Sequence, residues 1–268
     1  SNYIMMANCK DVTNNNVQKT RVYYSELLKS GTFKDNRFLE FKNDAGEEIT
    51  AIWEQNGRVE VSFPSSIYEV NFSVLEPGTG DQTISQIVKG FGVIAPRTLA
   101  TDGVYSFFLA YDGIRIWDGG RKTRLTVAEE SRVISTNVEP IITELIQSGR
   151  YLNAVGKYYP KKRWYVFAYE DPKRFPRGKN NSVLIYDFNN GEWFPFKNWN
   201  IEAIETFNGG DDIGELLFSD SVDGYVYYGD DELSLNDARK ELWIDSIDST
   251  NTWIRGNIDF VDVREGSA

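Results

Sequence analysis

Residues 92–120 read GVIAPRTLATDGVYSFFLAYDGIRIWDGG, and three Asp-Gly pairs punctuate the stretch. Asp102-Gly103 precedes the aromatic run 104–111, Asp112-Gly113 separates it from 114–117, and Asp118-Gly119 follows. Asp and Gly tolerate φ > 0 at both central positions of a tight turn, and the resulting type I′ turn matches the right-handed twist of paired strands. The pattern predicts a three-stranded meander whose first strand lies at 98–101. Strands this aromatic need cover on both faces, so the same unit is expected to recur along the chain.

It does recur in outline. Strands are expected at 3–8 and 21–25, joined by a polar loop over 10–20, then at 38–41, 48–53, 58–63 and 67–70, with an Asn56-Gly57 turn and a corner at Pro64-Ser65-Ser66. Residues 74–79 read as a Pro/Gly loop and 84–89 as a short helical turn or another strand. Residues 131–147 are the most helix-like piece, with Asn137 as a candidate cap ahead of a turn through Pro140. Beyond it the strand pattern resumes at 153–158, 163–169, 182–188, 192–196, 201–207, 215–219 and 225–228. Residues 230–240 read as an acidic linker or short helix, with final strands at 241–244 and 253–263. Short strands at regular spacing with tight turns signal a sandwich, a barrel or a propeller. Repetition of the whole unit favours the propeller, which protects its sheet edges by stacking blades around an axis.

Composition narrows the functions open to such a fold. The 268 residues are 41% hydrophobic and 14% aromatic, ample for a core. No apolar run approaches the ~20 residues of a helical membrane span, so no span of that kind is expected. The chain opens on Ser1-Asn2-Tyr3 without Met and inside an expected strand, which reads as a fragment or processed product. There is no histidine, which removes Ser-His-Asp and Cys-His catalysis and most zinc sites. The single Cys9 forms no internal disulfide and is expected as a small buried apolar side chain. A net charge of −11 lacks the basic footprint of a nucleic-acid binder.

The candidate sites divide between function and plain conformation. Asp211, Asp212, Glu215, Asp220, Asp223, Asp230, Asp231 and Glu232 invite a calcium or acid/base reading, but no D-x-[DN]-x-[DN]-G loop occurs, and Asp belongs at hairpin tips anyway. Trp53, Trp193, Trp199 and Trp253, if exposed, offer stacking platforms for a sugar; as core they join neighbouring sheets. Lys173, Arg174, Arg177 and Lys179 form a basic island in the loop 170–181, either an ordinary solvated loop or a docking site for an acidic neighbour. Pro96 is expected to fix the approach to a blade's first strand, and Arg97 to pair with a carboxylate of the next blade. No catalytic, cofactor-binding or metal-ligating residue is assigned, and no cofactor is implied.

Several of these stretches together resemble a family of tailed-bacteriophage virion proteins, the packaged-DNA stabilisation and tail-nozzle proteins of short-tailed phages. The matching pieces are RVYYSE at 21–26, ITAI at 49–52, GRVEVSF at 57–63 and SIYEV at 66–70. The densest match is 90–119, with Ala95-Pro96-Arg97-Thr98, Phe107-Phe108-Leu109, Asp112-Gly113-Ile114 and Trp117-Asp118-Gly119; SVLIYDFNNGEW at 182–193 follows a later blade. Departures are Val93 or Ile94 where the family carries a Cys, and Pro64-Ser65 where it carries basic residues.

The resemblance covers residues 21–230 and implies an all-β fold with little helix, a whole or partial β-propeller of four-stranded antiparallel meander blades. Residues 1–235 would hold about four blades plus a partial N-terminal one, and 236–268 would close the propeller or lead to a further segment. The implied role is a structural, non-catalytic subunit of the virion, a tail nozzle or head–tail connector retaining packaged DNA. Its implied partners are tail, adaptor or portal subunits and identical copies in a ring, with DNA passing without specific binding. A carbohydrate-binding or glycoside-hydrolysing propeller for cell-surface recognition is the alternative.

Overall fold

The computed structural model describes residues 3–10, 17–26, 28–29, 31–34, 37–43, 45–71, 83–119, 131–197, 199–209, 212–220, 222 and 224–229, with short strands at 246–247 and 253–254. The described residues are predominantly antiparallel β-sheet, arranged in two compact units, Ser1–Ile146 and Gln147–Ala268.

In the first unit, β1 (Met5–Lys10), β2 (Val17–Tyr24) and β3 (Phe38–Glu40) form a three-stranded sheet. A four-stranded sheet follows, built from β4 (Ala51–Gln55), β5 (Arg58–Phe63), β6 (Ser66–Asn71) and β7 (Thr83–Lys89). The third sheet is β8 (Ala100–Thr101), β9 (Ser106–Ala110), β10 (Gly113–Trp117) and β11 (Ser131–Val133). Each sheet joins strands in chain order, as hairpin connections require.

The middle sheet is apolar on both sides, because period-2 alternation sends successive residues to opposite faces. Val59, Val61, Phe63, Tyr68 and Val70 pack with Val22 and Leu39 of the first sheet. Ala51, Trp53, Ile67 and Val88 pack with Phe108, Ala110 and Trp117 of the third. Phe63, Phe108 and Trp117 are fully buried, each side chain contributing about 1.5–3 kcal/mol on leaving water.

The second unit repeats the pattern. After α1 (Glu139–Gln147), which ends the first unit, come β12 (Val155–Tyr159), β13 (Trp164–Tyr169), β14 (Ser182–Asp187) and β15 (Glu192–Lys197) in one four-stranded sheet. β16 (Ile201–Gly209), β17 (Asp212–Asp220) and β18 (Val226–Tyr228) form a three-stranded sheet. Val166, Ala168, Val183 and Ile185 meet Trp199, Ile201, Leu216, Phe218 and Tyr227 in one core. A short pair, β19 (Ser246–Ile247) with β20 (Trp253–Ile254), completes the described strands.

Several sequence expectations are corrected here. The type I′ turn forms at Asn56-Gly57, where φ is 52° and 74°. The Asp-Gly pairs behave differently. Between β9 and β10 the loop residues are Tyr111 and Asp112, and Gly113, with φ 136°, already pairs with Ala110. Asp102 instead uses its carboxylate, which accepts hydrogen bonds from the Val104 and Tyr105 amides at 2.8 and 2.5 Å.

The strand expected at 98–101 starts as a 3₁₀ turn, Pro96–Thr98, and only Ala100–Thr101 is extended. Residues 84–89 are strand, and β2 begins inside the expected 10–20 loop. The expected helix shrinks because its start, Ser131–Val133, pairs with β10 as strand, and Asn137 sits in a 3₁₀ turn at Thr136–Val138. Cys9 is half-buried on β1, not fully buried. The loop at 74–79, the segment 230–240 and the strand at 241–244 lie outside the described residues.

The Ala-Pro-Arg-Thr block acquires a physical role. Pro96 opens the 3₁₀ turn, where its missing N–H costs nothing. Thr98, fully buried, donates to the Ala95 carbonyl (2.7 Å) and accepts from the Leu109 amide (3.0 Å). Thr98 thus latches the turn to the centre of β9, whereas Arg97 is exposed. Thr98→Val keeps the shape and strands a buried amide, so we expect a loss of about 2 kcal/mol in urea unfolding.

Candidate functional site

Two polar constructions stand out against the apolar sheets. The first joins β4 and β5 to the third sheet. Gln55, 1% exposed, donates through Nε2 to the carbonyls of Val104 (2.5 Å) and Trp117 (3.2 Å). Its Oε1 accepts from Ser106 Oγ (2.6 Å) and Trp53 Nε1 (3.2 Å), so every polar group of the amide is used.

One strand over, Glu60 is fully buried and its Oε2 accepts from Trp117 Nε1 at 2.8 Å. Its Oε1 has no hydrogen-bond partner among the described residues. Burial therefore dominates and raises the carboxyl to about 7, against the Trp117 hydrogen bond, with the charges of Glu69 and Asp118 adding and Arg58 opposing. A carboxyl sealed from solvent has no substrate to serve; its chemistry is that of an internal proton holder.

The neighbouring turns dock on each other. Asn56 donates from Nδ2 to the Asp118 carbonyl (3.3 Å) and from its amide to Gly103 (3.4 Å). A Cβ on Gly119 would lie 3.1 Å from the side chains of Gln55 and Asn56. The turns at Asp102-Gly103 and Asp118-Gly119 thus serve sheet-to-sheet contact.

The second construction is the basic loop 170–181, whose inner side is a buried polar scaffold. Asn181 donates from Nδ2 to the carbonyls of Asp171 (3.0 Å), Arg174 (3.2 Å) and Pro176 (3.0 Å), and its Oδ1 accepts from the Asp171 amide (2.8 Å). Glu170, 6% exposed, accepts from the Gly178 amide (2.8 Å) and pairs with Arg150 Nε (3.3 Å). Asn180 ties the base down through the carbonyls of Asn153 and Ile201, both at 2.9 Å. Arg174 turns inward to Asp171 at 3.1 Å. The outer side presents Lys173, Phe175, Arg177 and Lys179 to solvent, with Phe175 80% exposed and the Arg177 guanidinium 5.1 Å from its ring centre.

The other candidates resolve into structure where they are described. Trp53, Trp193 and Trp199 are at most 8% exposed, so none of these three is an exposed platform for a sugar. Trp199 stacks on Phe218 at 4.9 Å, and Trp193 lies 5.1 Å from Tyr186. Asp220 accepts from the Val222 amide (2.6 Å) and so organises its own turn. Glu215 lies on β17 opposite Phe207, on the strand expected there. Asp211, Asp223, Asp230, Asp231 and Glu232, and the side chains of Asp212 and Trp253, lie outside the described residues. Among the described residues no group of three or more His, Cys, Asp or Glu is placed to hold a metal ion, and no helix is long and apolar enough to cross a membrane.

No family model and no curated protein matches the chain in sequence. Among solved structures, it is similar to a chain in the crystal structure of a nidogen/laminin complex, at 14% identity and a TM-score of 0.41, over 89% of this chain and 87% of that one. It is also similar to a chain of the S. cerevisiae core factor structure, at 9% identity and a TM-score of 0.33, over 98% of this chain and 51% of that one, so it spans about half of the latter's length. The class stands on the chain's own architecture: an all-β protein of antiparallel meander sheets.

Proposed function

We propose that this chain is a structural subunit of a tailed-phage virion, a tail nozzle or head–tail connector component, whose sheets are successive blades of a whole or partial β-propeller. One observation carries the reading: the β4–β7 sheet is covered on both faces by the sheets before and after it in sequence. A two-layer sandwich buries one face of each sheet, whereas blades bury two. The stretches that resemble the phage family fall on these strands and their latches, including Thr98 and the turns at Gly103 and Gly119.

Such a subunit works without catalysis. It is assembled from the host cytoplasm into the virion, in a ring of identical copies beside tail, adaptor or portal proteins, where heterologous contacts close a circle. An acidic chain suits a conduit that a polyanion must traverse without sticking, because each Lys or Arg contact to phosphate adds affinity and slows transit.

Cryo-electron microscopy of particles produced by the phage encoding this chain tests the reading. Density for these sheets, repeated symmetrically at the tail or head–tail junction, is the expected result. Particles that lack the chain altogether would sink the proposal.

A further inference from the structure

We propose that Glu60 is a proton-operated latch between the sheet β4–β7 and the sheet β8–β11. Protonated, it lets the two sheets close on each other; ionised, it parts them along the edge at Asn56 and Asp118 while each sheet keeps its own ladder. The device does not depend on the virion role.

Glu60 sits in the seam itself. Its Oε2 accepts from the Trp117 indole across the seam at 2.8 Å, its Oε1 meets no donor among the described residues, and the side chain is fully buried. Protonated, such a group leaves one hydrogen bond unmade; ionised, it is a charge in a dry contact with a single donor. The charges around it do not compensate. Glu69 stands opposite it on β6, and Asp118 follows Trp117 on the facing sheet. Arg58, two residues away on β5, bonds Glu69 at 2.6 Å. Arg115 on β10 lies over the Phe91 ring and pairs with Asp112. Trp53 of β4, Ser85 of β7 and Phe108 of β9, the residues that these strands bring to this face, carry no charge. Burial accordingly keeps the proton on Glu60 up to about 7.

Water relieves the ionised form, and the fold offers it a way in that spares the ladders. Each sheet is closed by its own hairpins, so parting two of them breaks only the bonds across the seam. At the edge next to Trp117 those are the bonds that Gln55 and Asn56 make to Gly103, Val104, Ser106 and residues 117–118. The Asn56 pair, at 3.4 and 3.3 Å, is long and lies at exposed residues, so it is the first to yield. Once that edge opens, the Glu60 carboxyl gives its proton to water.

Hydrogen exchange of the tryptophan indole N–H groups, followed by NMR on the full chain from pH 5 to 8, tests the latch. The Trp117 indole donates to Glu60 itself, and the Trp199 indole, in the second unit, is the reference. Each rate is divided by that of free indole at the same pH, which leaves the degree of opening. For Trp117 in the wild type we expect opening to rise about tenfold per pH unit from 5 to 7 and to level off above. At pH 8 Trp117 should exchange at least about tenfold faster than Trp199. In Glu60→Gln, Trp117 opening should stay level across the series.

Opening at Trp117 that does not change with pH in the wild type overturns the proposal. So does a common rate for Trp117 and Trp199 at pH 8, because the chain then unfolds as a whole instead of parting at one seam. A Glu60→Gln chain whose Trp117 opening climbs with pH as in the wild type assigns the titration to another group and overturns it too. Should that variant fail to fold, the wild-type series alone decides between the first two outcomes and the latch.

Discussion

Gly92→Ala is expected to cost about 3 kcal/mol or more, enough to leave much of a marginally stable chain unfolded at physiological temperature. Gly92 is buried where the chain leaving β7 passes over β5 and β6. A Cβ there would stand 1.9 Å from the Phe63 carbonyl oxygen, 2.8 Å from Ser62 Oγ and 3.0 Å from the Ser66 carbonyl oxygen. The nearest obstacle is backbone, so no rotamer change relieves it. Relief requires the chain to move off the sheet, and that breaks the bond from the Val93 amide to Ser62 Oγ (2.8 Å) and threatens the one from Ile94 to the Leu109 carbonyl (3.0 Å). Urea unfolding followed by circular dichroism reads the loss directly. A midpoint within experimental error of the wild type would refute the close approach.

Glu60→Gln is expected to abolish a fall in stability that is expected of the wild type between about pH 4.5 and 7. The carboxyl titrates at about 7 in the folded chain against an ordinary value of 4.5. Below 4.5 both folded and unfolded forms hold the proton, and stability from this group is fully present. As pH rises toward 7 the unfolded chain releases its proton while the folded one keeps it, so unfolding gains, by about 3 kcal/mol at the upper end. Above 7 the slope from this group vanishes.

With no histidine in the chain, no histidine titration overlaps that window. Glu26, held down to about 2 by hydrogen bonds from Lys34 and Lys29, acts in the opposite sense and lower, its stabilisation being lost as pH falls from 4.5 toward 2. The neutral amide of the variant keeps the acceptor for Trp117 and never ionises. Thermal melts across pH 4 to 8, in roughly half-unit steps, should fall for the wild type and stay level for Glu60→Gln. Parallel curves would rule out Glu60 as the proton holder.

These two residues mark how far the sequence could be read. The strand at 58–63, the turn at Asn56-Gly57 and the loop at 170–181 were legible because alternation, positive-φ residues and Pro/Gly punctuation are local signals. Glu60 was not. In RVEVSF its position reads as the wet face of a half-exposed strand, and only the third sheet, from residues far along the chain, makes that face dry. Gly92 likewise looks like an ordinary loop glycine until β5 and β6 lie beneath it.

The Asp-Gly pairs mark turns, but not of the type I′ geometry that the pattern suggests. Propensity says that Gly takes φ > 0, not which loop position it will occupy, and register between Ala110 and Gly113 decided that. In the loop 170–181 the cations were visible at once. The scaffold of Glu170, Asn180 and Asn181 was hidden, since polar residues beside Pro and Gly resemble any solvated connection.

Joining strands only to their sequence neighbours has a consequence for biosynthesis. Each sheet closes as soon as its own last strand leaves the ribosome, so no strand waits for a distant partner. The greasy side of β4–β7 that belongs to Phe108 and Trp117, however, stays bare for the time needed to make the further residues from Lys89 to Trp117. That interval, rather than the finished molecule, is when this chain is most open to capture by chaperones or to sticking to its like.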